Sequence, residues 1–467
     1  MTVNEPESYT LQAIPQPETY ADVQSTPLSD ETQRERLRRV LHGMRHHGLD
    51  ALVIYADKEH GGNFEYLSGF IPRFEEALLI VAKNGAATYV MGNENLKLVP
   101  HARLPGAVLH APCFSLPDQP CPPDFDLTQL LKQSGISLCK RVGIAGWKHL
   151  ALNGPSGKAM FDIPHFIYQS IRDALPSTTA LVNATPIFIS PDGGVRTTNN
   201  ANELAHYEYG ANLASTAILN ALNAIEIGKT EKEIAALLAA EGQPHNVVTI
   251  AATGDRFEQA QLYPRDKKIS LGDKFSLTTG FKGGLSSRAA YVVKHREMLP
   301  AKTSDYLERV AIPYYHAVVC WLTALRVGIT GGEIYALIEE ILPKERFHWH
   351  LNPGHLVADE EWLCSPISQG SPIALASGML MQIDIIPSVH GYAGASIEDT
   401  VALADANLRT EIASAYPALW QRILNRRRYL DEILHIPLHP DVLPMSNTVG
   451  YLRPFLLDKQ RALVCVG

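Results

Sequence analysis

Paired cysteines, long apolar runs and an excess of positive charge are all missing from this sequence. The six cysteines, Cys113, Cys121, Cys139, Cys320, Cys364 and Cys465, include no Cys-x-x-Cys pair. This excludes a zinc knuckle and offers no disulfide framework, so reduced thiols in a cytoplasmic protein are expected. No uninterrupted apolar run approaches the ~20 residues of a membrane-spanning helix. The N-terminus has neither the basic region nor the apolar core of a secretory leader, and the expectation is a chain neither secreted nor membrane-embedded. With 41 Lys and Arg against 49 Asp and Glu, the formal charge is -8. That balance gives no basic footprint for nucleic acid or an anionic membrane, and it makes a small neutral, zwitterionic or cationic ligand the easier partner.

What is present is a chain of 467 residues, 46% hydrophobic and 19% charged. It is too long for one ordinary core, and two domains are the default. Residues 1–28 are rich in proline and polar side chains without an apolar period, and read as a flexible tail or an arm lying on another surface. Ser29 and Asp30 then cap a helix carrying Leu37, Val40, Leu41 and Met44 at three-four spacing, with Gly48 to end it. Residues 51–55 form a buried strand, and residues 77–81 and 87–91 form a hairpin across Asn84-Gly85. Beyond a proline-rich loop at 112–123, a helix near 127–133, a strand near 142–145 and a helix near 165–175 continue an α/β domain over 29–195. The turn cluster Ser190-Pro191-Asp192-Gly193-Gly194 marks the junction. A long helix from about Asn202 opens a second domain, 196–467, which includes a C-terminal extension.

The second domain carries an internal repeat. Gly228-Lys229-Thr230-Glu231-Lys232-Glu233-Ile234 is echoed 100 residues later by Gly328-Ile329-Thr330-Gly331-Gly332-Glu333-Ile334, a separation beyond solenoid periods. In both copies Thr is an N-cap and Glu, three residues on, completes a capping box. Capping boxes are common, but here the flanks repeat as well: strands at 273–277 and 289–293 follow the first copy, and strands at 379–385 and 400–403 follow the second. Two such αβ halves face each other across a cleft. Aligning them on Gly272 and Gly378 makes Thr278 equivalent to Asp384. His355, Asp384 and Glu398 can then converge, a composition suited either to a metal ion or to acid/base work.

Several segments resemble the pita-bread superfamily that includes methionine aminopeptidase, aminopeptidase P, prolidase and creatinase. They are Asn352-Pro353-Gly354-His355, Ser377-Gly378-Met379-Leu380-Met381-Gln382-Ile383-Asp384 and Ile397-Glu398-Asp399. Gly62-Asn63-Phe64-Glu65-Tyr66-Leu67-Ser68-Gly69-Phe70 is similar to the signature of the creatinase/prolidase N-terminal domain. The resemblance implies an α+β chain, with an N-terminal α/β domain followed by a pita-bread domain of two pseudo-symmetric halves. It also implies a homodimer, in which an N-terminal loop carrying Arg73 reaches the neighbour's cleft.

The departures from the pattern shape the functional expectation. Where the metallopeptidases of that group carry two first-half aspartates, this chain has Thr278 and the segment Ser287-Arg288-Ala289. Their second histidine is replaced near Trp362, and their metal-binding glutamate by Asp384. Without first-half carboxylates, two bridged divalent ions lack the anionic charge to hold them. The leading expectation is therefore a creatinase-like hydrolase of a C–N bond in a small nitrogen-containing metabolite, without metal or other cofactor. In that reading Arg288 projects into the vacated position and pairs with Glu398 or Asp384, and His355 exchanges protons. Asp399 supports the turn, while Arg73, Trp362 and Tyr263 are candidate substrate contacts. A mononuclear metallohydrolase of the Xaa-Pro peptidase type, with one ion at His355, Asp384 and Glu398, is the alternative. A non-catalytic cleft that binds peptide or protein is a third reading.

Overall fold

The computed structural model describes residues 9–150, 159–256 and 258–466. The chain divides between Thr197 and Thr198 into two compact units, and the residues up to Pro27 join the second of them. Among the described residues no helix is long and apolar enough to cross a membrane, and all six cysteines are free thiols.

From residue 9 on, of the two readings of residues 1–28, flexible tail or arm on another surface, the structure has the arm; residues 1–8 lie outside the described residues. Strand β1 (Tyr9–Ala13) pairs antiparallel with residues 461–465, Tyr9 opposite Cys465 and Ala13 opposite Arg461. Beyond β1, prolines cannot donate to a ladder, and side chains hold the arm instead. The Gln16 amide donates to the Lys459 carbonyl at 3.0 Å, and the Asn212 amide donates to the Tyr20 carbonyl at 2.9 Å.

The unit of residues 28–197 is built on a six-stranded sheet. Its strands are β2 (Ala51–Ala56), β3 (Ala77–Ala82), β4 (Ala87–Met91), β5 (Gly106–His110), β6 (Arg141–Ala145) and β7 (Ala180–Asn183), in the order β5-β4-β3-β2-β6-β7. Strand β2 is buried along its whole length, as its unbroken apolar run requires. The helix Asp30–His46 starts on Ser29, whose hydroxyl accepts from the Thr32 N–H at 3.1 Å. Strand β5 was not expected from the sequence. It is an edge strand with mostly exposed residues, so it has no apolar alternation to betray it.

In the second unit the helix Ala201–Ala224 starts on an Asn200/Glu203 capping box. Both repeated boxes form as well: Thr230 Oγ1 accepts from the Glu233 N–H and Thr330 Oγ1 from the Glu333 N–H, each at 3.2 Å. The likeness of the halves extends to the backbone. Gly228 and Gly328 have φ of 91° and 90°, and their N–H groups donate to the Ile269 and Leu375 carbonyls at 2.9 and 2.8 Å. Two four-stranded sheets follow. Strands β8 (Ile250–Thr253), β9 (Lys274–Phe281) and β10 (Gly284–Tyr291) form one with β13 (Ser396–Glu398), in the order β13-β10-β9-β8. Strands β11 (His355–Leu356), β12 (Leu380–Gln382), β14 (Thr400–Leu403) and β15 (Val442–Pro444) form the other in the order β11-β12-β14-β15, and β16 (Arg461–Cys465) is the partner of β1. Strand β13 belongs to the second half in sequence but is bonded to the first half's sheet. This crossing delivers Glu398 to the cleft.

Candidate functional site

His355 opens β11, Asp384 lies two residues past β12 and Glu398 ends β13. One ligand atom from each lies within 4.8 Å of the others. All three side chains are buried, and His355 Nε2 is 3.9 Å from Asp384 Oδ2. Gly354 makes the approach possible: its φ is 125°, and a Cβ there would stand 3.0 Å from the Trp321 ring and 3.1 Å from the Gln382 carbonyl oxygen. His355 Nδ1 lies 3.1 Å from the Leu356 carbonyl. A carbonyl can only accept, so the proton sits on Nδ1 and the lone pair of Nε2 faces the carboxylates. His355 Nε2 and Asp384 Oδ1 are buried without a hydrogen-bond partner.

Burial dominates the electrostatics. It holds His355 down to about 4. It pushes Asp384 up to about 7, with the charge of Glu361 adding to the rise. Glu398 is raised well above its usual range, first by burial and then by Asp384 and Glu361. A neutral imidazole and two carboxyls whose acceptor atoms face one another repel unless a proton or a cation lies between them. The N, O, O donor set and its spacing fit one divalent ion.

The guanidinium of Arg288 does not supply that cation, which corrects the sequence expectation. In β10 the register sets Ser287 opposite Glu398 and Arg288 opposite Ile397. Strand side chains alternate between faces. Ser287 and Ala289 therefore line the cleft with Glu398, while Arg288 points to the far side. There it donates through Nη2 to Asp399 Oδ2 at 2.6 Å and to the Thr448 carbonyl at 2.8 Å, and through Nε to the Tyr451 carbonyl at 3.1 Å. Asp399 also accepts from Ser286 Oγ at 2.6 Å and from Thr448 Oγ1. Next to Glu398 the first half places neutral hydroxyls, those of Ser287 and Thr278. Thr278 Oγ1 donates to Ser287 Oγ at 3.1 Å, and Ser396 Oγ donates to Ser287 Oγ at 3.2 Å.

Trp362 is at the site: its ring stacks on His355 with centroids 4.0 Å apart and planes 18° apart. The chain doubles back after β11, with the Leu356 N–H donating to the Cys364 carbonyl at 2.7 Å and the Leu363 N–H to the Leu356 carbonyl at 2.9 Å. The same turn brings in Glu361, a cleft residue that spacing from His355 does not single out. Tyr263 is 60% exposed and is not among the residues lining the cleft. Arg73 lies in the other unit, exposed, with its guanidinium 5.2 Å from the Phe74 ring centroid and its backbone N–H donating to Asn95 Oδ1 at 2.8 Å. The cleft itself has a volume of about 800 Å³, with Leu351 and Ile386 among its apolar walls.

Known proteins are similar to this chain in sequence family and fold. The sequence model of metallopeptidase family M24 matches residues 205–405, and that of the creatinase/prolidase N-terminal domain matches residues 36–190. A solved Xaa-Pro dipeptidase from Bacillus anthracis is similar at TM-score 0.60 and 16% identity, covering 80% of this chain and 96% of that one. The prolidase from Pyrococcus horikoshii OT3 is similar at TM-score 0.60 and 18% identity, over 79% of this chain and 95% of that one. The X-Pro aminopeptidase from Thermotoga maritima MSB8 is similar at 0.59 and 17%, over 79% and 95%. No curated protein sequence matches. At these identities the likeness to solved structures speaks for the fold, and activity has to be argued from the side chains in the cleft.

Proposed function

The chain belongs to the pita-bread superfamily of creatinase, aminopeptidase P and prolidase, and from that premise we propose that it is a metal-dependent hydrolase of a peptide-type C–N bond, holding one divalent ion at His355, Asp384 and Glu398. The observation that carries this reading is the convergence of the three buried ligand atoms within 4.8 Å, two of the residues bearing buried atoms without partners. It is the alternative that the sequence left open. The metal-independent reading needed a guanidinium in the cleft, and Arg288 is committed to Asp399. Two ions do not fit, because Thr278 and Ser287 carry no charge where a second ion needs carboxylates.

A divalent ion so held would supply Lewis acidity, polarising a carbonyl oxygen and making water easier to deprotonate. The residues do the rest. The Leu356 carbonyl fixes the tautomer of His355, and the Trp362 ring fixes its plane. Glu398, which offers one oxygen to the ion, uses its other carboxylate oxygen to take a proton from water and return it to the leaving nitrogen. The hydroxyls of Thr278, Ser287 and Ser396 offer neutral hydrogen-bonding partners for the substrate's polar groups. The cleft volume suits a small molecule or a short peptide.

The test is metal analysis of protein purified without chelator, together with turnover of a panel of dipeptides and amino-acid amides. One ion per chain, removed by chelator along with activity and restored with it by manganese, is the expected result. Turnover that survives complete removal of metal overturns the proposal.

A further inference from the structure

Resting on that reading, we propose that Glu361 and the indole of Trp362 form a subsite for a positively charged nitrogen of the substrate, an ammonium, amidinium or guanidinium. The protein then acts on cationic small molecules and disfavours those that bring a free carboxylate into the cleft.

The argument begins with charge. One divalent ion offsets Asp384 and Glu398, which leaves Glu361 as a third carboxylate on the same wall. Burial is what acts on the Glu361 carboxyl, raising it, and no neighbouring cation offsets that effect. Among the described residues that line the cleft, Lys274 is the one Lys or Arg. Its ammonium is taken by Glu258 and lies 3.8 Å from Asp255. Arg288 faces the other side of the sheet with Asp399. A carboxylate left in a half-buried cleft without a counter-charge is costly, and a bound cation removes that cost.

Geometry adds a second feature. The turn after β11 sets Trp362 beside Glu361, with one ring face on His355 and 36% of the residue exposed. A carboxylate next to an indole recognises cations through a charge-assisted hydrogen bond and the negative ring face together. Asp384, which lines the cleft, has a buried and unpartnered Oδ1 aimed at a ligand. Leu351 and Ile386, 47% and 44% exposed, offer apolar cover for the body of a small molecule. A substrate carboxylate beside Glu361 would meet its uncompensated negative charge and no free lysine or arginine, which is discrimination by repulsion.

The test uses manganese-loaded full-length protein and two probes of the same shape, benzamidine and benzamide, with affinity read by calorimetry. Benzamidine should bind at least about tenfold more tightly, the scale of one hydrogen bond to a charged group. Glu361→Gln should erase that difference while keeping one ion per chain. Trp362→Leu should weaken benzamidine by about threefold to tenfold, as loss of a cation–π contact does. Equal affinity for the two probes, a preference that survives Glu361→Gln, or loss of the ion in that variant would each overturn the proposal, the last by making Glu361 a ligand of the ion. The two readings fail separately. Native protein that takes up no ion ends the hydrolase reading, whereas native protein that holds its ion and shows no preference ends only the cation subsite.

Discussion

Gly272 and Gly378 stand at matching points of the two halves of the C-terminal unit, with φ of 82° and 88°, and six residues on each leads to a cleft side chain. In the first half that side chain is Thr278, joined to Ser287; in the second it is Asp384, beside His355 and Glu398. The halves share capping boxes, glycine conformations and strand-edge hydrogen bonds, yet one offers hydroxyls and the other a ligand set. Frame and chemistry are therefore separable. Caps and turns are satisfied within a few residues, whatever the charge on the inward-facing positions.

The sharpest way to break the comparison is to strip the charged half of its ligand. His355→Ala is expected to lose the ion and to lower turnover at least about a hundredfold, the scale of losing a principal catalytic group; metal content and rate on the same samples check it. The seam between the halves is the next target. Arg288→Met leaves the fully buried Asp399 without its cation, and breaking such a pair from one side costs about 3–5 kcal/mol, to be read from denaturant midpoints. The opposite manipulation makes the neutral half resemble the charged one. Thr278→Asp combined with Ser287→Asp should raise the metal content from one ion per chain to two, and should destabilise the protein when chelator is present. A stoichiometry that stays at one would show that the difference between the halves lies in more than those two side chains.

The mildest effect is a change of sign with pH. In ion-free protein the raised Asp384 and Glu398 hold protons when folded that they release on unfolding. Their contribution to stability is full below the ordinary carboxyl range and is lost as pH rises through the folded value of about 7 for Asp384. His355, lowered from 6.5 to about 4, acts the opposite way between those values, and two carboxyls outweigh one imidazole. Chelated protein should therefore lose stability as pH rises from about 5 to about 8. Manganese-loaded protein should gain it over the same range, because protons compete with the ion for the same donor atoms. Thermal midpoints across that range, with and without manganese, distinguish the two.

What the sequence disclosed and what it hid follow from the distance over which each feature is decided. Ser29, Thr230 and Thr330 announce their helices because a cap closes over three residues. His355, Asp384 and Glu398 were legible as a group because motif order and the repeat brought them together. The direction of Arg288 was not, since it depends on the pairing of β10 with β13, more than 100 residues apart, and a shift of one residue reverses every side chain. Glu361 was hidden by the turn after β11. Two adjacent residues, Glu361 and Trp362, both face the cleft there, and spacing from His355 pointed at only one of them. The arm of residues 9–27 was legible only as one of two readings, because its partners, among them Asn212 and the strand 461–465, are remote in sequence and it has no apolar period of its own.

That arm also bears on how the protein is made. Strand β1 emerges from the ribosome about 450 residues before β16, and neither has its ladder until the other is present. Throughout synthesis Tyr9–Ala13 is an unpaired strand edge, open to another chain's β16 as well as its own. Intermolecular exchange of this strand is therefore a hazard when chains crowd together during expression, and closing a loop of about 450 residues should be a late and slow event in folding.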